Sequence, residues 1–321
     1  MDYVRFGNSN LRVSRLCLGA MGMGDKSWRS WVLDRDQSKP IVKRALDLGI
    51  NFFDTCDYYS HGESERVLAE ILVGEVPRDS IVIATKAGNP MQPHSNGRGY
   101  SRKHIIEAVD ASLMRLGTDY VDLFQTHVWD PDTNIDELVD VFSEIVRSGK
   151  ALYIGATTMP AWTFSAAIHK AAHRQLAAFA SMQCEYNPGH RECERELLPL
   201  CRAEGLAVIP FSPIARGFLS CDRRAAENGS ERTRTDDYTR KHYYRAGDFA
   251  VLDAVQAVAK KHGTTASRVA LAWTAGRRGV TAPIFGPTRA EHVDDAVAAL
   301  KLELAPQDIE AINSAYVPRA L

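Results

Sequence analysis

No stretch of about eighteen or more apolar residues occurs in the sequence, so a transmembrane helix is not expected. No CxxC pair occurs among Cys17, Cys56, Cys184, Cys193, Cys201 and Cys221. A chain this long does not need staples to hold a core, and reduced thiols in a cytosolic protein are the simplest expectation. Charge of one sign is also lacking. Against 40 acidic residues stand 39 lysines and arginines, a formal net charge of -1. That removes the general basic field that nucleic acid or an anionic membrane would need, though not a local patch for a phosphate-bearing ligand. The opening MDYVRFGNSNLRVSRLCLGA lacks the charged-then-apolar layout of a signal peptide, in line with a cytoplasmic location. A GxGxxG fingerprint is missing too. The early glycines read GAMGMG, and GAMGMGDKS (19–27) has one residue too many before its lysine to be a P-loop. Gly19, Gly22 and Gly24 are instead expected to let backbone run close to a ligand.

What the chain does have is alternation. Short, continuously apolar runs near residues 16, 51, 81, 121, 151, 179, 207 and 281 read as strands covered on both faces. Amphipathic stretches separate them, at 37–48, 64–72, 101–116, 135–148, 160–171, 191–204 and 289–300. Gly49, Gly117 and Gly149 stand where left-handed helix caps fall. Eight strand–helix units in one domain of residues 1–321 predict an α/β fold, a (β/α)₈ TIM barrel preceded by an N-terminal hairpin. Helices at about 248–262 and 305–315 are extra to the alternation. Residues 212–247 form a long arginine-rich excursion, of the kind that is usually functional or disordered. A doubly wound sheet shares the alternation and is the rival architecture.

In a barrel, chemistry collects at the C-terminal ends of strands. Asp54 closes the second strand run, Lys86 the third and His127 the fourth. Neighbouring strands lie about 4.8 Å apart, so the three side chains are within reach of one another. Tyr59 follows Asp54 by five residues, on the loop that folds back over them. A buried lysine needs a counter-charge, and Asp54 can supply one. A lysine beside a phenol favours the phenolate and is expected to lower its pKa. Tyr59 then suits the role of proton donor to a carbonyl oxygen, with His127 orienting that oxygen. The cluster holds no nucleophile for the carbonyl carbon, which points to a cofactor hydride. Singly, each residue has a plainer reading: Asp54 as a turn cap, Lys86 as a snorkelling rim lysine, His127 as a bonded core histidine. Their concurrence at successive strand ends is what the plain readings do not explain.

FFDTCDYYSHGESE (52–65), ATK (84–86) and FQTH (124–127) together resemble the aldo-keto reductase family, in the family's order along most of the chain. The resemblance implies a barrel that binds a nicotinamide cofactor without a Rossmann domain. It also implies Tyr59 as general acid, Lys86 as the residue tuning it, Asp54 as the lysine's partner and His127 as substrate-orienting. Tyr58 is adjacent and competes, but the family spacing places the acid five residues after the aspartate. GATT (155–158) is similar to the family stretch that holds the nicotinamide carboxamide, with Thr157 and Thr158 in place of the more usual serine followed by serine or asparagine. Gln183 resembles the glutamine on the same carboxamide, and Phe211 the aromatic ring against the nicotinamide face. SPIARGFLS (212–220) resembles the pyrophosphate loop through Ser212, Ile214, Arg216, Gly217 and Leu219, with Arg232 and Arg234 following as a clamp or a solvated face. GPTRAEHVDDA (286–296) resembles the adenosine end, comprising Gly286, Thr288, Arg289, His292 and Asp295. There Arg289 implies a partner for the 2′-phosphate of NADPH, while His292 and Ala296 replace more usual glutamine and asparagine.

SRKHI (101–105) and LPLCRAEGLAVIPFSPIARG (198–217) look most like the bacterial and fungal aryl-alcohol dehydrogenase-like members, with landmarks shared by potassium-channel beta subunits. The implied activity is NADPH-dependent reduction of an aldehyde or ketone. The alternatives are a nicotinamide-binding redox-sensing or assembly subunit with slow turnover, and a cofactor-free barrel hydrolase or isomerase. Trp28, Tyr58 and Trp129, with Trp31, Met91 and Met159, are candidates to contact substrate. Arg98 and Arg102 near an aromatic mouth would suit a bulky, polar carbonyl compound. Every proposed group comes from one chain, so a monomer would suffice.

Overall fold

In the computed structural model, residues 1–221 and 235–319 are described, and Arg232 and Arg234 lie outside them. Strands β1 (Tyr3–Arg5) and β2 (Arg12–Ser14) form an antiparallel hairpin. Eight short parallel strands follow: β3 (Cys17–Gly19), β4 (Phe52–Asp54), β5 (Val82–Ala87), β6 (Val121–Thr126), β7 (Ala151–Thr157), β8 (Phe179–Gln183), β9 (Ala207–Val208) and β10 (Ile284–Phe285). They lie in the order β10-β3-β4-β5-β6-β7-β8-β9. The two ends of that order meet. Thr281 N donates to Val208 O at 2.8 Å and Ile284 N to Pro210 O at 2.7 Å, so the sheet closes on itself as the eight-unit alternation predicts.

Side chains alternate along each strand, which divides the apolar residues between two cores. Phe52, Val82, Ala84, Leu123 and Ile284 point into the barrel, where Phe6 and Val13 of the hairpin join them; Phe6 meets Phe52 edge-on at 5.7 Å. Phe53, Ile83, Phe124, Ile154 and Met182 face the surrounding helices. The same parity carries Asp54, Lys86, Gln125, Thr157 and Gln183 to the inner side at the strands' C-terminal ends. The register agrees, with Gly19 beside Asp54, Lys86 beside Gln125 and Thr157 beside Gln183.

Helices Arg35–Asp47, Glu63–Leu72, Arg102–Leu116, Ile135–Arg147, Ala161–His173 and Glu291–Ala299 fill the gaps close to their expected bounds, and the extra helices are Ala246–Lys261 and Pro306–Ser314. Two places differ. The single helix expected at 191–204 is a short turn at Glu192–Glu194 and a helix at Leu197–Ala203, because Pro199 has no N–H to extend the helix backwards. A further helix, Ala266–Ala275, escaped sequence reading. Eight of its ten residues are buried, so it lacks the one-sided pattern that betrays a surface helix.

Candidate active site

At the inner rim, Lys86 Nζ donates to Asp54 Oδ1 at 2.6 Å and to Thr55 O at 2.7 Å. The other oxygen of Asp54 accepts from Gln125 Nε2 at 3.2 Å and from Gln183 Nε2 at 3.0 Å. All four side chains are buried. Burial works against the Lys86 ammonium, but Asp54 together with the neighbouring Tyr59 and Cys56 outweighs it, and the lysine pKa stands above its ordinary value. Gln125 was not singled out from the sequence. The available signal was a glutamine inside an otherwise apolar strand, since a buried amide must find partners.

Tyr59 starts a tight turn, Tyr59–Gly62, in which Ser60 and His61 adopt left-handed backbone at φ 50° and 52°. Such non-glycine positions are costly, at about 1–3 kcal/mol each, and tend to occur where side-chain placement matters. The turn sets the Tyr59 ring 5.0 Å from Lys86 Nζ and edge-on to His127 at 5.6 Å. Tyr58 instead points along the mouth, edge-on to Trp28 at 6.0 Å. The expected lowering of the Tyr59 pKa is not the net outcome. Burial raises it and the nearby Lys86 offsets only part, leaving the phenol at about 12. Tyr59 is therefore a protonated phenol at neutral pH. Burial, then Lys86, pushes His127 well below its usual pKa, so this imidazole is neutral. Its Nδ1 faces Cys56 Sγ at 3.0 Å and the Asn89 side-chain amide. Neither neighbour was anticipated, because both depend on loop geometry.

Asp57 lies just behind this cluster. It is buried, Cys56 Sγ donates to its Oδ1 at 3.2 Å, and its Oδ2 has no hydrogen-bond partner among the described residues. Burial, with Glu65 nearby, raises its pKa to about 7. A raised carboxyl pKa means that the folded chain keeps a proton the unfolded chain has already released. Its contribution to stability is thus full below about pH 4 and is lost as pH rises through about 7. Asp57→Asn is expected to remove this pH dependence, flattening the urea-unfolding free energy between those limits by on the order of 2–4 kcal/mol. An unchanged slope would mean that Asp57 is not the coupled group.

One continuous cavity of about 980 Å³ runs from Trp28, Tyr58, Tyr59 and His127 to Arg289, His292 and Asp295. Gly19, Asp54, Thr157, Gln183, Phe211, Ser212, Ile214, Arg216, Gly217, Gly286 and Thr288 line it between those ends. Gly19 also owes its identity to packing, since a Cβ there would meet Ile284 Cγ2 at 2.7 Å. Several expected contacts fall elsewhere. Trp129 stacks on Tyr100 at 6.3 Å and is not part of the lining, and Leu219 is buried behind it. Thr158 gives its hydroxyl to the carbonyl of His127 at 2.8 Å. Arg102 pairs with Glu144 on the outer helices, and exposed Arg98 is also outside the lining. Arg216 is held by Asp236, its Nη2 2.6 Å from Oδ2, and Asp295 by Arg268 at the same distance.

The far end resembles an anion site. Arg289 is exposed in the cavity beside the helix Glu291–Ala299 and has no carboxylate partner among the described residues. Its Nη2 lies 3.0 Å from His292 Nε2, while Thr288 N is 3.2 Å from His292 Nδ1. A nicotinamide dinucleotide fits the polar groups between the two ends. Among the described residues, buried Thr157 Oγ1 has no hydrogen-bond partner, and Gln183 has both amide contacts through nitrogen, leaving its oxygen.

A parallel barrel with a lysine–carboxylate pair, a phenol and a neutral imidazole around one end of a long cavity defines a class: an oxidoreductase acting on small carbonyl compounds. The chain belongs to the aldo/keto reductase family, whose pattern matches residues 15–317. Members of this family generally bind a nicotinamide cofactor. Similar proteins include the versiconal hemiacetal acetate reductase of Aspergillus parasiticus, 38% identical over 342 residues and covering 100% of this chain and 98% of that one. A Schizosaccharomyces pombe protein provisionally named an aryl-alcohol dehydrogenase is 38% identical over 340 residues, covering 98% and 96%. The aldo-keto reductase dtxS3 of Metarhizium robertsii is 35% identical over 347 residues, covering 100% and 92%. No helix among the described residues is long and apolar enough to cross a membrane.

Proposed function

We propose that this protein reduces an aldehyde or ketone to the alcohol with NADPH, and that Tyr59 is the general acid. The observation that carries this reading is the juxtaposition of Tyr59, Lys86 and His127 at one end of a cavity whose other end is Arg289. Bound NADPH would supply the hydride to the carbonyl carbon. The chain's own residues do the rest. Tyr59, a phenol at neutral pH, holds the proton that the carbonyl oxygen takes as negative charge develops there. Lys86 is charged and stands against the same ring, so it stabilises the phenolate left behind. His127 is neutral, and with Nδ1 turned towards Cys56 and Asn89 its Nε2 is left to donate to the carbonyl oxygen. The fixed Asp54 network keeps Lys86 in place, and it needs no reorganisation during reaction.

Along the cavity, the Gln183 oxygen would accept from the carboxamide and Thr157 Oγ1 would meet it from beside. Phe211 would cover the ring face. Left-handed backbone at Ser212, Arg216 and Gly217, with φ of 56°, 55° and 91°, curls this cavity-lining segment tightly between the two ends, where the pyrophosphate would lie. Arg289 would then take the 2′-phosphate in guanidinium geometry, supported by Thr288 and His292.

The test is NADPH oxidation followed by stopped flow against a panel of aldehydes and ketones, with NADPH and NADH binding measured separately. Multiple rapid turnovers with NADPH are expected. Arg289→Leu is expected to weaken NADPH binding about tenfold while changing NADH binding little. Equal losses for the two cofactors would remove Arg289 from 2′-phosphate recognition. Tight NADPH binding without turnover of any carbonyl would overturn the reductase reading.

A further inference from the structure

The half of the cavity that receives the carbonyl compound contains one charge that the chemistry above does not use. Arg29 lines it together with Trp28, Tyr58, Tyr59, Asn89, His127 and Val128. Its guanidinium carbon sits 4.3 Å over the Trp28 ring and 5.7 Å from the Trp31 ring. Trp28 in turn stands edge-on to Tyr58 at 6.0 Å and tilted against Tyr59 at 6.3 Å. Arg29 is thus placed one indole away from the phenol, and the indole faces fix it there.

Its charge is not answered by any described residue. Elsewhere in the cavity Asp54 is matched by Lys86, Arg216 by Asp236 and, at the far end, Arg268 by Asp295. Among the described residues no carboxylate pairs with Arg29, which is half-buried in an aromatic wall. A partly desolvated guanidinium without a counter-ion, facing the space where a ligand must lie, attracts an anion with a planar pair of oxygens. One such cation matches a monoanion better than a doubly charged phosphate.

We propose that the substrate is a carbonyl compound carrying a carboxylate about one aromatic ring's width from the carbonyl, and that Arg29 binds the carboxylate. This rests on the reductase reading for the reacting end of the molecule. For 4-formylbenzoate as probe, the aldehyde carbon gains a hydride from the reduced nicotinamide and its oxygen gains a proton from Tyr59. The products are 4-(hydroxymethyl)benzoate and oxidised nicotinamide, and the carboxylate is unchanged.

The experiment compares kcat/KM for 4-formylbenzoate and its methyl ester in wild type, Arg29→Met and Arg29→Lys. Calorimetric binding of 4-(hydroxymethyl)benzoate and its methyl ester is measured beside it. Wild type is expected to favour the acid by about tenfold or more, Arg29→Met to bring the ratio close to one, and Arg29→Lys to fall between. The binding ratio is expected to follow the same order, and it needs no turnover. A wild-type ratio at or below one, or a preference that survives Arg29→Met, overturns the assignment and leaves the reductase reading standing. Selective binding of the acid with no reduction of either aldehyde has the opposite meaning: the anion site holds and the reductase reading falls.

Discussion

Tyr59→Phe is expected to lower the single-turnover rate of carbonyl reduction by about a hundredfold to ten-thousandfold, the usual range for a lost general acid, while NADPH still binds. The substitution removes one oxygen and keeps the ring. Its edge-on contact with His127 and its face towards Lys86 therefore persist, so the fold and the cavity are not disturbed. What is lost is the proton. With its phenol at about 12, wild-type Tyr59 stays protonated throughout the neutral range, and its activity should show no falling limb from this group below that pH. The matching control is Tyr58→Phe. Tyr58 faces Trp28 and the mouth, whereas the Lys86 ammonium stands over the Tyr59 ring, so the loss of the Tyr58 hydroxyl should act on KM more than on the chemical step. A nearly normal burst in Tyr59→Phe with a lost burst in Tyr58→Phe would transfer the acid to Tyr58.

The positions that were legible in advance are those governed by strand periodicity. Asp54, Lys86 and Gln183 lie at strand ends, and once the barrel is granted, alternation alone puts them on its inner side. The far end at Arg289 was expected only through the family resemblance, and the structure places that residue in the same cavity as Tyr59. What could not be read were contacts that depend on loop conformation or on competition between opposing effects. Cys56 and Asn89 reach His127 only because the turn after β4 and the loop after β5 bend together. Arg216 looked like a phosphate ligand, but Asp236, twenty residues on, reaches it first. The Tyr59 pKa was a question of magnitude: the sign of the Lys86 effect was evident from residue types, and the larger cost of burial was not. Trp129 and Arg29 make the same point from opposite sides, since an aromatic expected in the cavity packs outside it and an unremarked arginine lines it.

Lys86→Met tests the second element of the site and should damage both stability and chemistry. Methionine fills much of the lysine's volume but leaves Asp54 Oδ1 and the Thr55 carbonyl without their donor, deep in the barrel. Removing one partner of a buried ion pair typically costs about 3–5 kcal/mol, chiefly because the remaining charge stays buried. Asp54 Oδ2 keeps its bonds from Gln125 and Gln183, which holds the loss towards the lower end of that range. The double variant Lys86→Met with Asp54→Asn separates the two roles. It takes away the stranded charge and should recover much of the stability in urea unfolding, because a neutral amide replaces the carboxylate. It should not recover the single-turnover rate, since Tyr59 would still release its proton with no ammonium beside the developing phenolate. A single variant as stable as wild type would show that the pair carries no stability. Restored turnover in the double variant would show that Lys86 serves Asp54 and not Tyr59.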